Sequence, residues 1–338
     1  MKIFSGSSNK TLAERVARQL GLGLSGLEIH VFPDKEKRIR VTENVVDKDT
    51  VVVQSCSTPA DSNYMELFFI VDALKRSGAK RVTAIIPYLG YQRQDHIFRD
   101  GEAVSLEVVV KTLEATGMDR LVAFDLHSIK IPELFTIPVI HLSALPVFAE
   151  KIKQIVGNRA EVGNENFLVH DAKKGTGSSR TSKSASVHRE NFIPSPRFSA
   201  TVLVSPDMGG IRRIKLISEM LNNMPFATIV KERNLATGEV STQGIKGAIG
   251  KRVLIIDDMI SSGGTIVSAA DLLRKKGVSE IYVFATHPVL SKDAPLLLQK
   301  SAVKKVFVTD TISISKEKQF PKLEVLSVAG MIAGAIKV

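Results

Sequence analysis

The sequence predicts an α/β protein with parallel sheets, because one unit of helix, glycine and apolar strand recurs along the chain. The three copies pair a helix-ending glycine with an apolar run: Gly78 with 82–88, Gly117 with 121–127, and Gly277 with 281–287. A glycine in this place can adopt the left-handed conformation that ends a helix. The runs are apolar throughout, like strands that helices cover on both faces. With 338 residues and copies in both halves, the chain has the length of two such domains.

The charge of the chain indicates what kind of partner it binds. Lys and Arg total 46 against 35 Asp and Glu, a formal net charge of +11, which favours a nucleic acid, an acidic surface or a polyanionic small molecule. Aromatic residues make up only 6% and Trp is absent, so a platform for stacking bases is poorly supplied. We therefore expect a phosphorylated small substrate and no nucleic acid.

Three features predict a cytoplasmic protein without a membrane segment. No apolar run reaches the ~18 residues that a membrane-spanning helix needs. The N-terminal residues 1–6 lack the apolar stretch of a signal peptide. The single cysteine, Cys56, cannot form an intramolecular disulfide, which fits a reducing compartment. Its place in the apolar run 50–56 predicts a buried structural thiol.

In parallel α/β sheets, ligands bind beyond the carboxyl ends of the strands. The chemistry should therefore gather where five apolar runs end: at 88–96, at Asp125 and His127, and after the runs 200–204, 226–230 and 253–256. Gly21 to Gly26 match a dinucleotide-binding glycine pattern, but they follow a helical stretch instead of a strand, so we interpret them as a helix stop. Residues 161–197 are polar and low in complexity, and they predict a surface insertion or a partner-binding arm.

The strongest single motif is the segment 253–265, in which an apolar strand ends in Asp257 and Asp258 and a small-residue loop then leads into a helix. Successive backbone amides in such a loop, with the N-terminus of a helix behind them, bind anions. The hydroxyls of Ser261, Ser262 and Thr265 can donate to a terminal phosphate. The two carboxylates can accept hydrogen bonds from sugar hydroxyls or hold a hydrated metal ion.

This motif resembles the phosphoribosyl-diphosphate loop of type I phosphoribosyltransferase folds, and the rest of the chain resembles the ribose-phosphate diphosphokinases, or phosphoribosyl pyrophosphate synthetases. The further matching segments, in the same order as in the family, are 4–9, 65–67, 72–76, 86–95, 125–127, 204–210 and 309–312. The resemblance implies two tandem phosphoribosyltransferase-like domains with mainly parallel central sheets. We expect an ATP-side domain at 1–145 and a ribose 5-phosphate-side domain at 146–338, with the insertion at 161–197. The C-terminal helix at 328–335 could pack back on the first domain.

The same resemblance implies an activity and its residues. The family transfers the β,γ-diphosphoryl group of ATP to the C1 hydroxyl of ribose 5-phosphate, releasing AMP, with Mg²⁺ as cofactor. The implied catalytic residues are Lys231 and Arg233, and the implied metal ligands are His127 and Asp207. The implied ATP contacts are Arg93, Gln94, Asp95 and His127, together with Phe32, Asp34 and Glu36 on an adenine-binding loop from a neighbouring subunit. The implied ribose 5-phosphate contacts are Arg233, Asp257, Asp258, Ser261, Ser262, Gly263, Gly264 and Thr265. The borrowed loop implies self-association as a dimer or hexamer.

Three residues depart from the family pattern. Lys35 replaces a glycine in the adenine-binding loop, Glu232 replaces the middle basic residue of the catalytic loop, and Ser261 stands where many members have Asp. On an extended segment Lys231 and Arg233 share one face and Glu232 points the other way, so the substitution is compatible with activity.

Two other functions stay open at this point. A catalytically weak synthetase-associated regulatory paralogue would explain the insertion, Glu232 and Ser261. A phosphoribosyltransferase that consumes the diphosphate sugar would explain the loop at 257–265, but not the segments 93–95 and 231–233. The sequence leaves undecided the oligomeric state, the response to ADP or phosphate, the role of the insertion and the nucleotide donor.

Overall fold

Two large sheets, one in each half of the chain, are mainly parallel. The computed structural model describes residues 1–97, 99–157, 201–233 and 240–337. The predicted insertion at 161–197 therefore lies outside the described residues. The predicted fold class, α/β with mainly parallel sheets, is confirmed.

The sheet of the first half has five parallel strands in the order β1-β4-β5-β6-β7. Its strands are β1 (Lys2–Ser5), β4 (Asp49–Val53), β5 (Arg81–Ile86), β6 (Arg120–Phe124) and β7 (Val139–Leu142). The helices of this half are α1 (Lys10–Gln19), α2 (Ala60–Arg76) and α3 (Ser105–Ala115). A separate antiparallel hairpin, β2 (Leu27–Val31) with β3 (Lys37–Val41), lies against α2.

The sheet of the second half has seven strands in the order β10-β9-β8-β11-β12-β13-β14. They are β8 (Thr201–Ser205), β9 (Phe226–Arg233), β10 (Val240–Gly247), β11 (Arg252–Ile260), β12 (Glu280–Pro288), β13 (Lys305–Thr309) and β14 (Leu323–Leu326). The helices are α4 (Leu145–Gly157), α5 (Ile211–Met220), α6 (Gly264–Lys275), α7 (Ala294–Lys300) and α8 (Ala329–Ile336). In this sheet the edge strand β10 runs antiparallel to β9, and the other pairs are parallel.

The glycines of the recurring unit end their helices as predicted. Gly78, Gly117 and Gly277 have φ of +86°, +91° and +86°, in the left-handed region that favours glycine. The strands that follow are buried almost throughout, because helices cover the sheets on both faces. Cys56 is fully buried, and burial raises the pKa of its thiol well above the ordinary value. The thiol therefore stays protonated, which fits the predicted structural role.

One hydrophobic cluster is shared by the two halves, and each half has a further cluster of its own. Phe124 of β6, Phe148 of α4 and Phe284 of β12 belong to a single buried cluster. The C-terminal helix α8 packs against α1 of the first half, and Ile332 is fully buried in the same cluster. The domain limits at 145 and 146 stay a prediction. None of the helices in the described part of the chain is long and apolar enough to cross a membrane.

Candidate active site

A crevice opens at the carboxyl edge of the second sheet, because one central strand is shorter than both of its neighbours. Strand β8 ends at Ser205, and its pairing ends at Thr228 of β9 and at Ile255 of β11. Both neighbours continue past that point, to Arg233 and to Ile260. Ligands of open α/β sheets bind in such a crevice outside the carboxyl ends of the strands.

Asp257 and Asp258 line one side of this crevice. The sequence predicted that they follow the strand, and this is wrong: β11 continues through both acids to Ile260. The reason is that β11 stays paired with β12 as far as Ile260 and Pro288, while its other edge is free of β8. The two carboxylates therefore sit on a rigid strand at the point where one of its edges opens.

The small-residue loop after the strand is shorter than predicted. Gly263 is the N-cap of α6 with φ of +80°, and the helix begins at Gly264, so Thr265 lies in its first turn. A Cβ atom on Gly264 would meet only Ser262 Oγ, at 3.8 Å, so the approach to this turn is open. The first amides of a helix have no intrahelical acceptor and carry a partial positive charge. Residues 262–265 thus form an accessible turn after β11 at the positive end of α6.

The two halves of the chain meet at His127 and Asp258. His127 follows β6, and its Nδ1 lies 2.7 Å from Asp258 Oδ2. This hydrogen bond raises the pKa of His127, while burial lowers it. Burial by itself would raise the pKa of Asp258, but the His127 and Arg213 partners more than offset it and hold that pKa well below the usual range. Asp258 is therefore an ionised carboxylate that orients the imidazole ring.

Arg213 is a charged group of this crevice that the sequence motifs missed. It lies in the first turn of α5, and its Nη1 is 3.7 Å from Asp257 Oδ1 and 3.8 Å from Asp258 Oδ1. Its guanidinium is largely buried, with 17% of the side chain exposed. The sequence signal that could have identified Arg213 is a pair of arginines, 212 and 213, shortly after the Asp207 segment.

Among the described side chains that influence Asp257, carboxylates outnumber cations. Burial raises the pKa of Asp257 well above its ordinary value, and the neighbouring carboxylates of Asp258 and Asp207 raise it further. Arg213 opposes that shift without cancelling it. A ligand that supplies a cation or hydroxyl donors would therefore stabilise the ionised form of Asp257.

Asp207 follows β8 at the floor of the crevice. Its carboxylate accepts a hydrogen bond from the Gly210 amide at 3.3 Å, and a Cβ atom on Gly210 would lie 2.3 Å from Ser205 Oγ. The close turn therefore depends on glycine at position 210. Among the residues that the structure describes, no group of three His, Cys, Asp or Glu side chains is arranged to hold a metal ion. The pairing of His127 and Asp207 as metal ligands stays a prediction.

The predicted ATP segment lies beside His127. Gln92, which the sequence motifs did not select, is buried and accepts a hydrogen bond from the His127 amide at 3.0 Å. Asp95 contributes to raising the pKa of His127. Burial raises the pKa of the Tyr88 hydroxyl; Asp258 raises it further and Arg93 lowers it, so both charges act on Tyr88. Gln94 is exposed, and its amide donates to the Tyr91 carbonyl at 2.7 Å.

Lys231 and Arg233 lie on the opposite flank of the crevice from Asp257. They belong to β9, where Lys231 pairs in register with Thr242 and Arg233 with Val240 of β10. The strand was expected to end at Val230, but its pairing with β10 extends it to Arg233. Backbone pairing thus places both residues beyond the end of β8, on the same edge as Asp207.

Buried polar contacts join the two halves beneath this edge. Asp125, at a φ of +31°, accepts hydrogen bonds from Thr286 Oγ1 at 2.6 Å and from Ser143 Oγ at 2.7 Å. His287, interpreted from the sequence as structural, lies 3.2 Å from the Phe124 carbonyl and 3.0 Å from Thr311 Oγ1. Burial lowers the pKa of His287, which fits a neutral structural imidazole.

The predicted adenine-binding residues lie at the exposed tip of the β2–β3 hairpin. The turn is internally ordered: the Phe32 amide donates to the Glu36 carbonyl at 2.9 Å, and the Glu36 amide donates to Asp34 Oδ1 at 3.1 Å. Lys35, which replaces the usual glycine, has φ of +74°. Within the described residues, no hydrogen bond, ion pair or ring contact joins this turn to His127 or Asp258 of the same chain.

This fold and crevice define a protein of the α/β class whose candidate site lies at the carboxyl edge of a mainly parallel sheet. Residues 1–117 match the family model described as the N-terminal domain of ribose phosphate pyrophosphokinase, and residues 224–338 match the phosphoribosyl synthetase-associated domain.

Full-length relatives point the same way. The chain is 36% identical over 340 residues to ribose-phosphate pyrophosphokinase 1 of Streptococcus pneumoniae, covering 99% of this chain and 92% of the relative. It is 36% identical over 336 residues to the ribose-phosphate pyrophosphokinase of Fusobacterium nucleatum, covering 99% and 94%. The crystal structure of phosphoribosylpyrophosphate synthetase from Mycobacterium smegmatis superposes with a TM-score of 0.81 at 31% identity, covering 99% and 97%. The chain belongs to the ribose-phosphate pyrophosphokinase family, which confirms the family and the enzyme class inferred from its motifs.

Proposed function

We propose that this chain transfers the β,γ-diphosphoryl group of ATP to the C1 hydroxyl of ribose 5-phosphate, giving phosphoribosyl diphosphate and AMP for nucleotide biosynthesis. The observation that carries the proposal is the contact of His127 with Asp258, which brings the predicted ATP segment of the first half against the predicted sugar-phosphate loop of the second. Donor and acceptor must be held in line for diphosphoryl transfer, and a site shared between two halves provides that arrangement.

The acceptor binds to the second half in this proposal. The amides and hydroxyls of the turn from Ser261 to Thr265, glycines 263 and 264 included, bind the 5-phosphate at the positive end of α6. Asp257 and Asp258 accept hydrogen bonds from the ribose hydroxyls. The excess negative charge around Asp257 favours a ligand that donates hydrogen bonds or brings a cation.

The transferring group is stabilised electrostatically, without a covalent intermediate or an obligatory general base. Lys231 and Arg233 act as clamps on the charge of the transition state, and Arg233 also contacts the sugar phosphate. Their backbone position on the flank of β9 facing the end of β8 supports this role. Loss of one such electrostatic donor typically lowers kcat by about 10²–10³-fold.

The residues at the crevice fit a bound Mg²⁺. Asp207 offers the oxygen ligand that Mg²⁺ prefers, and the Nδ1 contact with Asp258 leaves His127 Nε2 as the ring nitrogen that can face a ligand. When bound there, Mg²⁺ would neutralise part of the charge on the phosphoryl oxygens of ATP. Asp258 holds the imidazole of His127 in one orientation, and Gln92 fixes its backbone amide.

ATP lies mostly on the first half, with Arg93, Gln94 and Asp95 along it. At the tip Asp34 and Glu36 are exposed and Phe32 is half-buried, and the tip is separate from His127 of its own chain, which supports its use in the site of a neighbouring subunit. The active form is then a homo-oligomer, a dimer or a hexamer, located in the cytoplasm.

The test is an incubation of the purified protein with ribose 5-phosphate, ATP and Mg²⁺, with separation of AMP from ADP. We expect AMP in step with sugar consumption, and a loss of about 10²–10³-fold in kcat for Lys231→Ala. The matched control is Lys304→Ala, since Lys304 precedes β13 at the amino ends of the strands of the same sheet and pairs with Glu280. Formation of ADP would contradict the proposed chemistry. Binding of ATP without turnover would favour the regulatory paralogue.

A further inference from the structure

The anchoring of the β2–β3 hairpin assigns a role to a residue pair outside the crevice. The hairpin forms a sheet of its own, so no strand ladder joins its tip to the five-stranded sheet. Its contacts with α2 therefore have to set the direction in which the tip points. The role inferred for this residue pair rests on the proposed function, in which the tip binds adenine.

One face of β3 makes these contacts. Alternate residues of a strand share a face, and in β3 the inward positions are Lys37, Ile39 and Val41. Ile39 and Val41 pack against the hydrophobic core that includes α2. Lys37 is the inward residue nearest to the turn, so it is the last anchor before the tip. Only 13% of its side chain is exposed.

The partner of Lys37 is a buried carboxylate. Lys37 Nζ lies 2.7 Å from Glu66 Oε2, and the Glu66 side chain is 1% exposed. Lys37 Nζ also donates to the Ser62 carbonyl at 3.2 Å. A charge pair buried to this degree is held in one geometry, unlike an exposed ion pair.

Glu66 is in turn fixed to the ends of two strands of the first sheet. Its carboxylate accepts hydrogen bonds from the Ser7 amide at 2.6 Å, from Ser7 Oγ at 2.8 Å and from Gln54 Nε2 at 2.9 Å. Ser7 follows β1, and Gln54 follows β4. Burial by itself would raise the pKa of Glu66, but Lys37 and Ser7 more than offset it and lower that pKa.

The tip is held together by its own contacts and leads directly into Lys37. The turn is closed by the Phe32 and Glu36 contacts, Arg38 lies 5.8 Å from the centre of the Phe32 ring, and His30 packs edge-on against that ring. A change in tilt at Lys37 would therefore displace the whole adenine-binding turn.

We infer that the buried Lys37–Glu66 ion pair is a positioning device for ATP binding, which aims the Phe32–Glu36 turn by tying it to the strand ends at Ser7 and Gln54. Neither residue contacts the reacting groups. Their loss weakens the binding of ATP in the ground state and the transition state alike, so it raises the KM for ATP and leaves kcat and the KM for ribose 5-phosphate unchanged.

The experiment compares steady-state kinetics of the full-length protein and its variants. Lys37→Met should raise the KM for ATP about tenfold, with kcat within about twofold of the unmodified protein. Lys37→Arg keeps the buried cation and should restore most of the affinity. The matched control is Arg40→Met, which removes the same charge from the outward face of β3, where Arg40 pairs with Glu28 in an exposed ion pair.

A second variant covers the case in which Lys37→Met leaves a buried carboxylate unpaired and does not fold. Lys37→Met with Glu66→Gln removes both charges and retains an acceptor for the Ser7 amide, and we expect it to show the same rise in the KM for ATP. A purely structural role would instead lower the folded fraction, which reduces the apparent kcat and leaves both KM values unchanged. That result would overturn the inference.

Phe32→Ala separates failure of this inference from failure of the proposed function. If Phe32→Ala raises the KM for ATP and the Lys37 variants do not, the positioning role is wrong while the adenine-binding turn stands. If neither changes that KM, the turn takes no part in ATP binding, and its proposed role fails with the inference. Absence of AMP formation by the unmodified protein would contradict the proposed function itself.

Discussion

The crevice and the hairpin tip are organised in opposite ways. In the crevice, Asp257 and Asp258 sit on a strand of the central sheet, and Arg213 lies on a helix packed against it. At the tip, Phe32, Asp34 and Glu36 are held by a turn outside either central sheet. The carboxylates of the crevice lie on a strand that is paired with β12, whereas the tip is exposed and is tied to α2 through the buried Lys37–Glu66 ion pair. Under the proposed function, the carboxylates that bind the sugar are placed by a central strand, and the turn that binds adenine is placed by a side-chain anchor.

The largest effect that distinguishes the two regions concerns Asp257. Asp257→Asn should lower kcat/KM for ribose 5-phosphate by about 100-fold, because the amide cannot accept from the ribose hydroxyls at both oxygens. The same variant should be more stable than the unmodified protein at pH 8, since it removes a buried carboxylate.

The sign of the pH dependence follows from the raised pKa of Asp257. The folded state holds the Asp257 proton more tightly than the unfolded state does. The contribution of Asp257 to the free energy of unfolding is therefore present below the unfolded pKa and is lost as the pH rises through the folded pKa. The stability difference in favour of Asp257→Asn should therefore grow from pH 5 to pH 8 in metal-free buffer, measured as Tm. A difference independent of pH would contradict the assignment.

A smaller effect is expected at the polar contacts beneath the crevice. Thr286→Val removes the hydroxyl that donates to Asp125 from the other half of the chain. We expect the free energy of unfolding to fall by about 1–3 kcal/mol, because a buried carboxylate loses a donor. Ser143→Ala removes a donor to the same carboxylate from within the first half and serves as the matched variant. Denaturant unfolding measures both, and kcat should fall only for Thr286→Val, which acts between the halves.

The smallest effect is expected at the tip. Lys35 has a positive φ, which costs a residue with a Cβ atom about 1 kcal/mol relative to glycine. Lys35→Gly should therefore raise the stability of the protein by up to about 1 kcal/mol, or leave it unchanged where the glycine's greater freedom in the unfolded chain offsets the gain. The KM for ATP should stay the same, since the turn geometry is kept. A marked rise in that KM would show that the Lys35 side chain itself contacts the nucleotide.

The recurring unit could be predicted because it depends on local chemistry. The glycines at 78, 117 and 277 predict the ends of helices, and the continuous apolar runs predict strands that are covered on both faces. The strand limits of β9 and β11 were wrong, because pairing with β10 and β12 extends them through polar residues that no local pattern marks as strand.

The site residues divide along the same line. The sequence selects Asp257, Asp258 and His127 one by one, because each follows an apolar run. It does not predict the contact between His127 and Asp258, since that contact depends on how the two sheets pack. Arg213 and Gln92 were missed because each acts through a partner that is distant in the sequence. Lys37 was missed for the same reason, although its partner Glu66 lies in the matching segment 65–67.

The most direct test of the central claim is a double-mutant cycle on His127 and Asp258, with AMP formation as the readout. The claim is that the reaction takes place where these two residues from different halves meet. His127→Gln and Asp258→Asn should each lower kcat/KM. The double variant should have about the same kcat/KM as the less active of the two single variants, because the losses from groups that act as one unit are not additive. Fully additive losses would mean that the two side chains act independently, and they would contradict a site assembled at this contact.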